Sequence, residues 1–162
     1  MDHLGTLIFF CGKMGAGKST SAKRIAVERD AVLISEDEWL SAHYPDQIHT
    51  FDDYLTYSAT IKPFVKLLVQ RILHTGTDVV MDFLGNTPAQ RAWYKQLCAE
   101  VGCDHQLWYL GVSDKKCLLH IAHRRTEQPH RAQFDTEEVF RHVNQYFQPP
   151  SSGEGLNILL VS

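Results

Sequence analysis

One segment near the start of the chain constrains the fold more than any other: residues 12–19 follow the pattern G-x-x-x-x-G-K-S. An apolar run at residues 7–11 comes directly before it, and an amphipathic segment follows it. Glycines at these positions let the backbone wrap around a phosphate group, so that successive N–H groups point inward. A helix beginning at the end of the turn adds unpaired N–H groups and the positive end of its dipole. The segment therefore predicts a phosphate-binding loop (P-loop) made by Gly12, Lys13, Met14, Gly15, Ala16, Gly17, Lys18 and Ser19.

The last residues of the P-loop indicate a nucleoside triphosphate bound with Mg²⁺. In this pattern the lysine, Lys18, reaches the β- and γ-phosphates, and the hydroxyl of Ser19 is a ligand for Mg²⁺. Thr20 adds a second hydroxyl on the side of the α-phosphate. The alternative is a glycine-rich turn that holds no ligand. The strand before it and the helix after it favour the nucleotide site.

Apolar strands and amphipathic helices alternate along the chain, which is the pattern of a parallel sheet covered on both faces. Strands are expected at 7–11, 31–35, 77–82, 105–110 and 156–161. The long helix expected at 52–74 contains Pro63, which should begin a new helix or kink this one. The expected helix caps are Ser35, Thr87, Ser113 and Asp135. The predicted fold class is α/β, a three-layer α/β/α sandwich with a mainly parallel five-stranded sheet in a single domain over residues 1–162.

Charge and cysteine content argue against several classes of protein. The formal net charge is -3 and the pI is about 6.3, whereas a general nucleic-acid binder is usually basic. The four cysteines include no C-x-x-C pair, and no early segment resembles a signal peptide. No apolar run approaches the roughly 20 residues that a membrane-spanning helix needs. We therefore expect a cytoplasmic protein with reduced thiols and no membrane partner.

P-loops occur in GTPases, oligomeric ATPases and kinases, and the sequence narrows this choice. GTPases usually carry an Asn-Lys-x-Asp motif, which this chain lacks. Oligomeric ATPases usually place a glutamate after the acid that ends the third strand, whereas here Asp82 is followed by Phe83. Gly15 makes the loop G-x-x-G-x-G-K-S-T, a form common in kinases of small molecules and nucleic acids.

Six segments in order resemble the kinase-type P-loop NTPase family AAA domain 33. They are GKMGAGKST, LISEDEW, VVMDFLGNTPAQR, LWYLGV, the HRR segment and PPSSGEGLNILLV. This family is similar to polynucleotide 5′-kinases, the chloramphenicol phosphotransferase and gluconate kinase. The resemblance covers nearly all of the chain, and the P-loop is its most specific part. It implies ATP as the phosphate donor, with Mg²⁺, and a hydroxyl group as the acceptor.

The resemblance implies that Asp37 accepts the proton of the attacking hydroxyl, because such kinases place an acid just after the second strand. The carboxyl ends of parallel strands converge on a ligand crevice, so a carboxylate there can orient an acceptor. The alternative is that Asp37 only complements the N-terminus of the following helix. Leu40 stands where polynucleotide kinases often place an arginine for a substrate phosphate, which weakens the nucleic-acid interpretation.

Further candidates lie near the same crevice. Asp82, at the end of the third strand, can hold Mg²⁺ through water or position a neighbour. Four aromatic residues between the second and third strands belong to the region that builds the acceptor pocket in such kinases, where they could stack on a ring or serve core packing: Trp39, Tyr44, Tyr54 and Tyr57. Asn86 and Arg91 follow the third strand and are expected to face the same crevice, Asn86 as a contact of the acceptor. Arg91 could bind an anionic acceptor or be a solvated helix residue.

The polar segment 124–134 is expected to form a lid. Kinase lids bring an arginine over the phosphates when they close, which stabilises charge during transfer and excludes water. Arg125 or Arg131 is expected to act in this way, and Arg124 to contact the adenine or the phosphates. The alternative for all three is the basic end of a surface helix, which the helix dipole also favours.

The sequence therefore predicts an ATP-dependent phosphotransferase that moves the γ-phosphate to a hydroxyl of a small-molecule acceptor. A polynucleotide 5′-hydroxyl kinase is the alternative within the same class. A nucleotide-binding regulator and an ATPase that works only with a partner protein are the alternatives outside it. The sequence leaves the identity of the acceptor and the oligomeric state open.

Overall fold

Strands and helices alternate through the computed structural model, which describes residues 3–129 and 132–161. The strands are β1 (Leu7–Gly12), β2 (Val32–Ser35), β3 (Val79–Asp82), β4 (His105–Leu110) and β5 (Ile158–Val161). The helices are α1 (Lys18–Glu28), α2 (Glu36–His43), α3 (Phe51–His74), α4 (Pro88–Val101), α5 (Asp114–Glu127) and α6 (Glu137–Asn144). A 3₁₀ turn at Ser152–Glu154 precedes β5. None of the described helices has the length and apolar character needed to span a membrane.

The five strands form one sheet in the order β2-β3-β1-β4-β5, and all four neighbouring pairs are parallel. β1 occupies the centre and is buried along its whole length. This position agrees with its uninterrupted apolar sequence, because a central parallel strand meets helices on both faces. The predicted α/β class is confirmed.

Side chains of β1 alternate between two helical layers, as the two-residue period of a strand requires. Leu7, Phe9 and Cys11 pack into a core with buried residues of α2, α3 and α4. Ile8 and Phe10 pack into a second core with α1, α5 and α6. The molecule therefore has the predicted three layers, with the sheet in the middle.

Three of the four helix N-caps predicted from the sequence are present in the structure. The side chains of Ser35, Thr87 and Ser113 each accept a hydrogen bond from the backbone N–H three residues later, so these caps are confirmed. The prediction for the last helix was wrong: Thr136 caps α6, and the Asp135 carboxylate instead binds a guanidinium of α5.

Pro63 does not begin a new helix, because α3 runs through it without a break. Buried residues lie on both sides of the proline, at Ile61, Val65, Val69 and Leu73. Their packing on the sheet holds the helix together across the missing hydrogen bond.

Candidate active site

The P-loop leaves the carboxyl end of the central strand, the edge at which parallel sheets bind ligands. β1 ends at Gly12 and α1 begins at Lys18, which is the predicted strand–turn–helix. Gly15 and Gly17 have φ angles of 82° and 93°, in the left-handed region that favours glycine. A Cβ on Gly15 would also lie 2.6 Å from the carbonyl oxygen of Cys117 in α5. The loop therefore needs glycine at both positions.

Lys18, Ser19 and Asp82 meet at the first turn of α1. The Ser19 hydroxyl donates a hydrogen bond of 2.7 Å to Asp82 Oδ2, and Lys18 Nζ lies 3.4 Å from Asp82 Oδ1. Asp82 ends β3, the strand beside β1, so the sheet order brings this acid to the P-loop. Its side chain is 8% exposed, and Oδ1 makes no hydrogen bond within the described residues.

This arrangement fits a magnesium ion. Hydroxyl and carboxylate oxygens are the hard ligands that Mg²⁺ prefers. Asp82 Oδ1 accepts no hydrogen bond within the described residues and has the Lys18 ammonium 3.4 Å away, so it can still take a second cation or a water. Ser19 and Asp82 would hold the ion, with Lys18 beside them.

Two asparagines hold the first half of the P-loop. The Gly12 N–H donates to Asn86 Oδ1 (2.9 Å), and the Met14 N–H donates to Asn144 Oδ1 (3.2 Å). This corrects the expectation for Asn86, whose amide oxygen supports the loop instead of facing an acceptor. Asn144 was missed, because it lies 130 residues from Met14 and belongs to no local motif.

The remaining P-loop residues take different positions. The Lys13 ammonium forms an ion pair of 2.7 Å with Asp114 at the start of α5 and lies 5.6 Å from the centre of the Phe147 ring. These contacts direct its side chain toward α5, so its backbone is the part that the loop offers to a phosphate. Ala16 packs in the core, and Thr20 is exposed in the first turn of α1.

Asp37 lies in the first turn of α2, directly beyond β2, where the sequence predicts it. The parallel register pairs Ser35 with Asp82, so Asp37 follows at the same edge of the sheet as the candidate magnesium ligands. The Tyr54 hydroxyl lies 2.7 Å from Asp37 Oδ1 and 3.0 Å from Glu36 Oε1. Glu36 is buried, whereas Asp37 is exposed. Of these two acids, Asp37 is therefore the one open to an acceptor.

Trp39 is half-buried and packs between α2 and α3. Its ring stacks on His43 with centroids 5.5 Å apart and contacts Phe64 at 6.1 Å. The residue also packs against the core formed with α3 and α4. These contacts match the packing alternative that the sequence left open for Trp39.

The expectation that Arg91 binds an anionic acceptor or lies in solvent needs correction. Its side chain is 0% exposed and forms an ion pair of 2.8 Å with Glu154. Its other N–H groups donate to the carbonyl oxygens of Gly85, Gln148 and Pro149. Hydrogen bonds from Arg91 are the main reason that the pKa of Glu154 is lowered. Arg91 therefore anchors the segment before β5, and its charge is already matched.

The arginines of the expected lid have different surroundings. Arg124 makes two hydrogen bonds to the buried Asp135, of 3.0 and 2.6 Å, and so ties α5 to the segment before α6. Arg125 is exposed. Both lie within α5, which extends to Glu127, so the first part of the expected lid is helical. Arg131 lies outside the described residues.

The family model AAA_33, described as an AAA domain, matches residues 7–150. The chain belongs to this family. The matched range contains the P-loop, Asp37, Asp82 and the whole of the expected lid, which confirms the family that the sequence motifs indicated. No curated protein matches the chain in sequence.

Solved structures similar to this AAA_33 member share the fold of P-loop kinases. A protein from Chloroflexus aurantiacus J-10-fl, provisionally called a kinase, has a TM-score of 0.74 and 18% identity, covering 99% of this chain and 86% of that chain. The APS kinase CysC of Mycobacterium tuberculosis, in complex with AMPPNP and APS, has a TM-score of 0.65 and 18% identity, covering 97% and 88%. A chain of the Pnkp1/Rnl/Hen1 RNA repair complex has a TM-score of 0.65 and 17% identity, covering 91% and 48%.

Proposed function

We propose that this AAA_33 protein is an ATP-dependent phosphotransferase that moves the γ-phosphate of ATP to a hydroxyl of a small-molecule acceptor. The position of Asp37 carries the proposal. It is an exposed carboxylate that follows β2, and β2 lies beside β3, the strand that ends at Asp82. Asp37 therefore lies at the same edge of the sheet as Lys18, Ser19 and Asp82. A site that only binds a nucleotide has no need of a second carboxylate beside the phosphates, whereas a transferase needs a group that orients the acceptor.

The P-loop and α1 supply the binding of the triphosphate. Backbone N–H groups of residues 15–20 would surround the phosphates, and Lys18 would neutralise the group being transferred. Ser19 and Asp82 would hold Mg²⁺, which when bound would supply positive charge beside the phosphates. Arg125 or Arg131 is proposed to approach the phosphates from the lid.

Asp37 supplies the group that receives the proton. The oxygen of the acceptor hydroxyl forms a bond to the γ-phosphorus, the bond from that phosphorus to ADP breaks, and the hydroxyl proton passes to Asp37. ADP and the phosphorylated acceptor leave, and Asp37 returns its proton to water. Positioning and charge supply most of the rate in such transfers. We therefore expect the loss of Lys18 or Asp37 to be severe.

The charge of the chain segment that contains Asp37 supports an acceptor that carries no phosphate near its reacting hydroxyl. A bound phosphate needs cations or several N–H donors. The chain has no lysine or arginine between Arg29 and Lys62, and the cation of Arg91 is bound to Glu154. The same segment contains seven acidic residues, namely Asp30, Glu36, Asp37, Glu38, Asp46, Asp52 and Asp53. These observations favour a neutral or cationic hydroxyl compound over a nucleic-acid 5′-end.

The test is transfer from γ-labelled ATP with Mg²⁺ to three separate pools: metabolites, hydroxyl-bearing antibiotics and 5′-hydroxyl oligonucleotides. Wild type is compared with Lys18→Ala and Asp37→Asn. The matched controls are Lys23→Ala, an exposed lysine of the same helix, and Glu38→Gln, the exposed acid beside Asp37. We expect label in a small-molecule pool with wild type and both controls, and a loss of at least about 100-fold with Lys18→Ala and Asp37→Asn.

Two outcomes would overturn this proposal in different ways. Label in the oligonucleotide pool alone would keep the transferase and replace its acceptor. The other outcome is that the protein binds ATP, labels no pool and hydrolyses residual ATP equally well as wild type and as Asp37→Asn. That result would favour a nucleotide-binding regulator or a partner-dependent ATPase.

A further inference from the structure

A buried carboxylate lies directly beside the proposed catalytic one. Glu36, the first residue of α2, is 1% exposed. It accepts hydrogen bonds from the hydroxyls of Tyr54 and Ser58 in α3 and from the Leu84 N–H after β3. Donors from two separate segments therefore converge on one side chain. Such convergence fixes the position of Glu36, because a buried carboxylate without donors would be strongly unfavourable.

The Tyr54 hydroxyl has one proton, and the carboxylates of Glu36 and Asp37 share it as acceptors. The hydroxyl oxygen lies 3.0 Å from Glu36 Oε1 and 2.7 Å from Asp37 Oδ1. Burial raises the pKa of Tyr54 well above its ordinary value, and the charges of Glu36 and Asp37 raise it further. Tyr54 therefore keeps its proton and acts as a donor at any pH at which a kinase works.

This contact restricts a side chain that would otherwise be free to rotate. Asp37 is exposed, and an exposed aspartate samples several rotamers. A hydrogen bond from Tyr54 to Oδ1 selects one of them and leaves Oδ2 without this partner, so that Oδ2 is the oxygen available to a hydroxyl. Misplacement of a catalytic group by about 1 Å can lower a rate about 100-fold.

We propose that Tyr54 is a positioning residue for phosphoryl transfer, held in place by Glu36, and that it orients Asp37 toward the acceptor hydroxyl. The inference rests on the proposed function, because it assumes that Asp37 receives the acceptor proton. It adds two residues to the site that lie beyond the P-loop and the lid.

Loss of the Tyr54 hydroxyl tests this role without removing the ring. Tyr54→Phe keeps the packing of the ring and removes the only hydrogen bond that Asp37 Oδ1 accepts within the described residues. The Asp37 side chain should then sample several rotamers in place of one. A role of Tyr54 in packing alone would leave the Asp37 rotamer unchanged.

The experiment follows the Asp37 side chain directly, through the scalar couplings that report its χ1 angle, in full-length protein labelled with ¹³C and ¹⁵N and without any added ligand. Asp37→Asn assigns the signal. We expect the couplings of a single rotamer in wild type and averaged couplings in Tyr54→Phe. The control is Tyr109→Phe in β4, a strand that β1 and β3 separate from β2. Its couplings should match wild type.

The kinetic arm uses γ-labelled ATP and the acceptor pool that wild type labels most strongly. Tyr54→Phe should lower kcat about 10- to 100-fold with KM for ATP unchanged, and Tyr109→Phe should stay within about twofold of wild type. If Asp37→Asn is inactive while Tyr54→Phe has full activity and the same Asp37 rotamer as wild type, this inference falls and the proposed function stands. If Asp37→Asn has full activity, both fall.

Discussion

The carboxylate of Asp82 contacts two side chains at the P-loop, the ammonium of Lys18 and the hydroxyl of Ser19. Lys18 and Ser19 belong to the start of α1, whereas Asp82 ends β3. They meet because β3 lies beside β1, and the acid therefore reaches both the lysine ammonium and the serine hydroxyl. The charge of Asp82 is thus the feature of this group that can be removed without changing its shape.

Asp82→Asn should raise the Mg²⁺ concentration needed for ATP binding. The asparagine keeps the size of the side chain and an oxygen for Ser19, but it removes the charge that favours a cation. We expect the half-saturating Mg²⁺ concentration to rise about tenfold, measured by calorimetry at fixed ATP. Asp104→Asn, at an exposed position before β4 and at the opposite end of the sheet, is the control. An unchanged requirement for Mg²⁺ would contradict an ion beside Asp82.

Gly15 and Gly17 both have a left-handed backbone conformation, but only at Gly15 would a side chain also clash with neighbouring atoms. A Cβ on Gly17 would meet nothing within 4 Å, whereas a Cβ on Gly15 would meet Cys117 and Ile121 of α5. Gly17→Ala should therefore lower the free energy of unfolding by about 1–2 kcal/mol, for conformation alone. Gly15→Ala should lower it further, because backbone must also move. Urea unfolding measures both, and equal losses would show that α5 does not constrain the loop.

At the scale of the elements, β5 is an edge strand that an ion pair outside its own ladder helps to position. Ile158, Leu159 and Leu160 are 37%, 36% and 73% exposed, so this edge strand buries little apolar surface. The segment leading into it is fixed by Glu154, which binds the buried Arg91 of α4. The ion pair between α4 and the 3₁₀ turn therefore helps to hold β5 against the sheet, where little apolar packing does so.

Arg91→Met should destabilise the protein by about 3–5 kcal/mol, because it leaves Glu154 and several carbonyl oxygens without their donor. Adding Glu154→Gln should recover part of the loss, since the unpaired charge is then also removed. Urea unfolding of the two single variants and the double variant measures this coupling. Strictly additive losses would mean that the two side chains do not depend on each other.

At the scale of the whole molecule, the parts of the fold with local signals could be predicted from the sequence. The P-loop, the alternation of strands and helices and three of the helix caps each depend on residues close together in the chain. Arg91, Asn144 and Glu36 could not be assigned in this way. Their partners Glu154, Met14 and Tyr54 lie 63, 130 and 18 residues away. An arginine at a helix start has the same local sequence whether solvent or a distant segment covers it.

MgATP should stabilise the entire molecule, because the P-loop is tied to α5, to α6 and to the segment after β3. At about 100 times its Kd, a ligand adds about 2.7 kcal/mol, which for a protein of this size raises Tm by about 5–10 °C. Lys18→Ala should lose most of this increase, and Lys23→Ala should keep it. Thermal unfolding with and without MgATP gives the comparison. An increase of equal size in Lys18→Ala would contradict binding at the P-loop.

Of the five strands of the sheet, β1 comes first in the chain, yet it lies in the middle, where Leu7 pairs with Val79 on one side and His105 on the other. A ribosome-bound chain that ends at β2 therefore carries a fully apolar strand with no neighbour. Pairings between such distant residues form slowly, because a long loop must close first. Unpaired apolar strands favour aggregation. The nascent chain is consequently most open to aggregation and to capture by chaperones until β4 has left the ribosome.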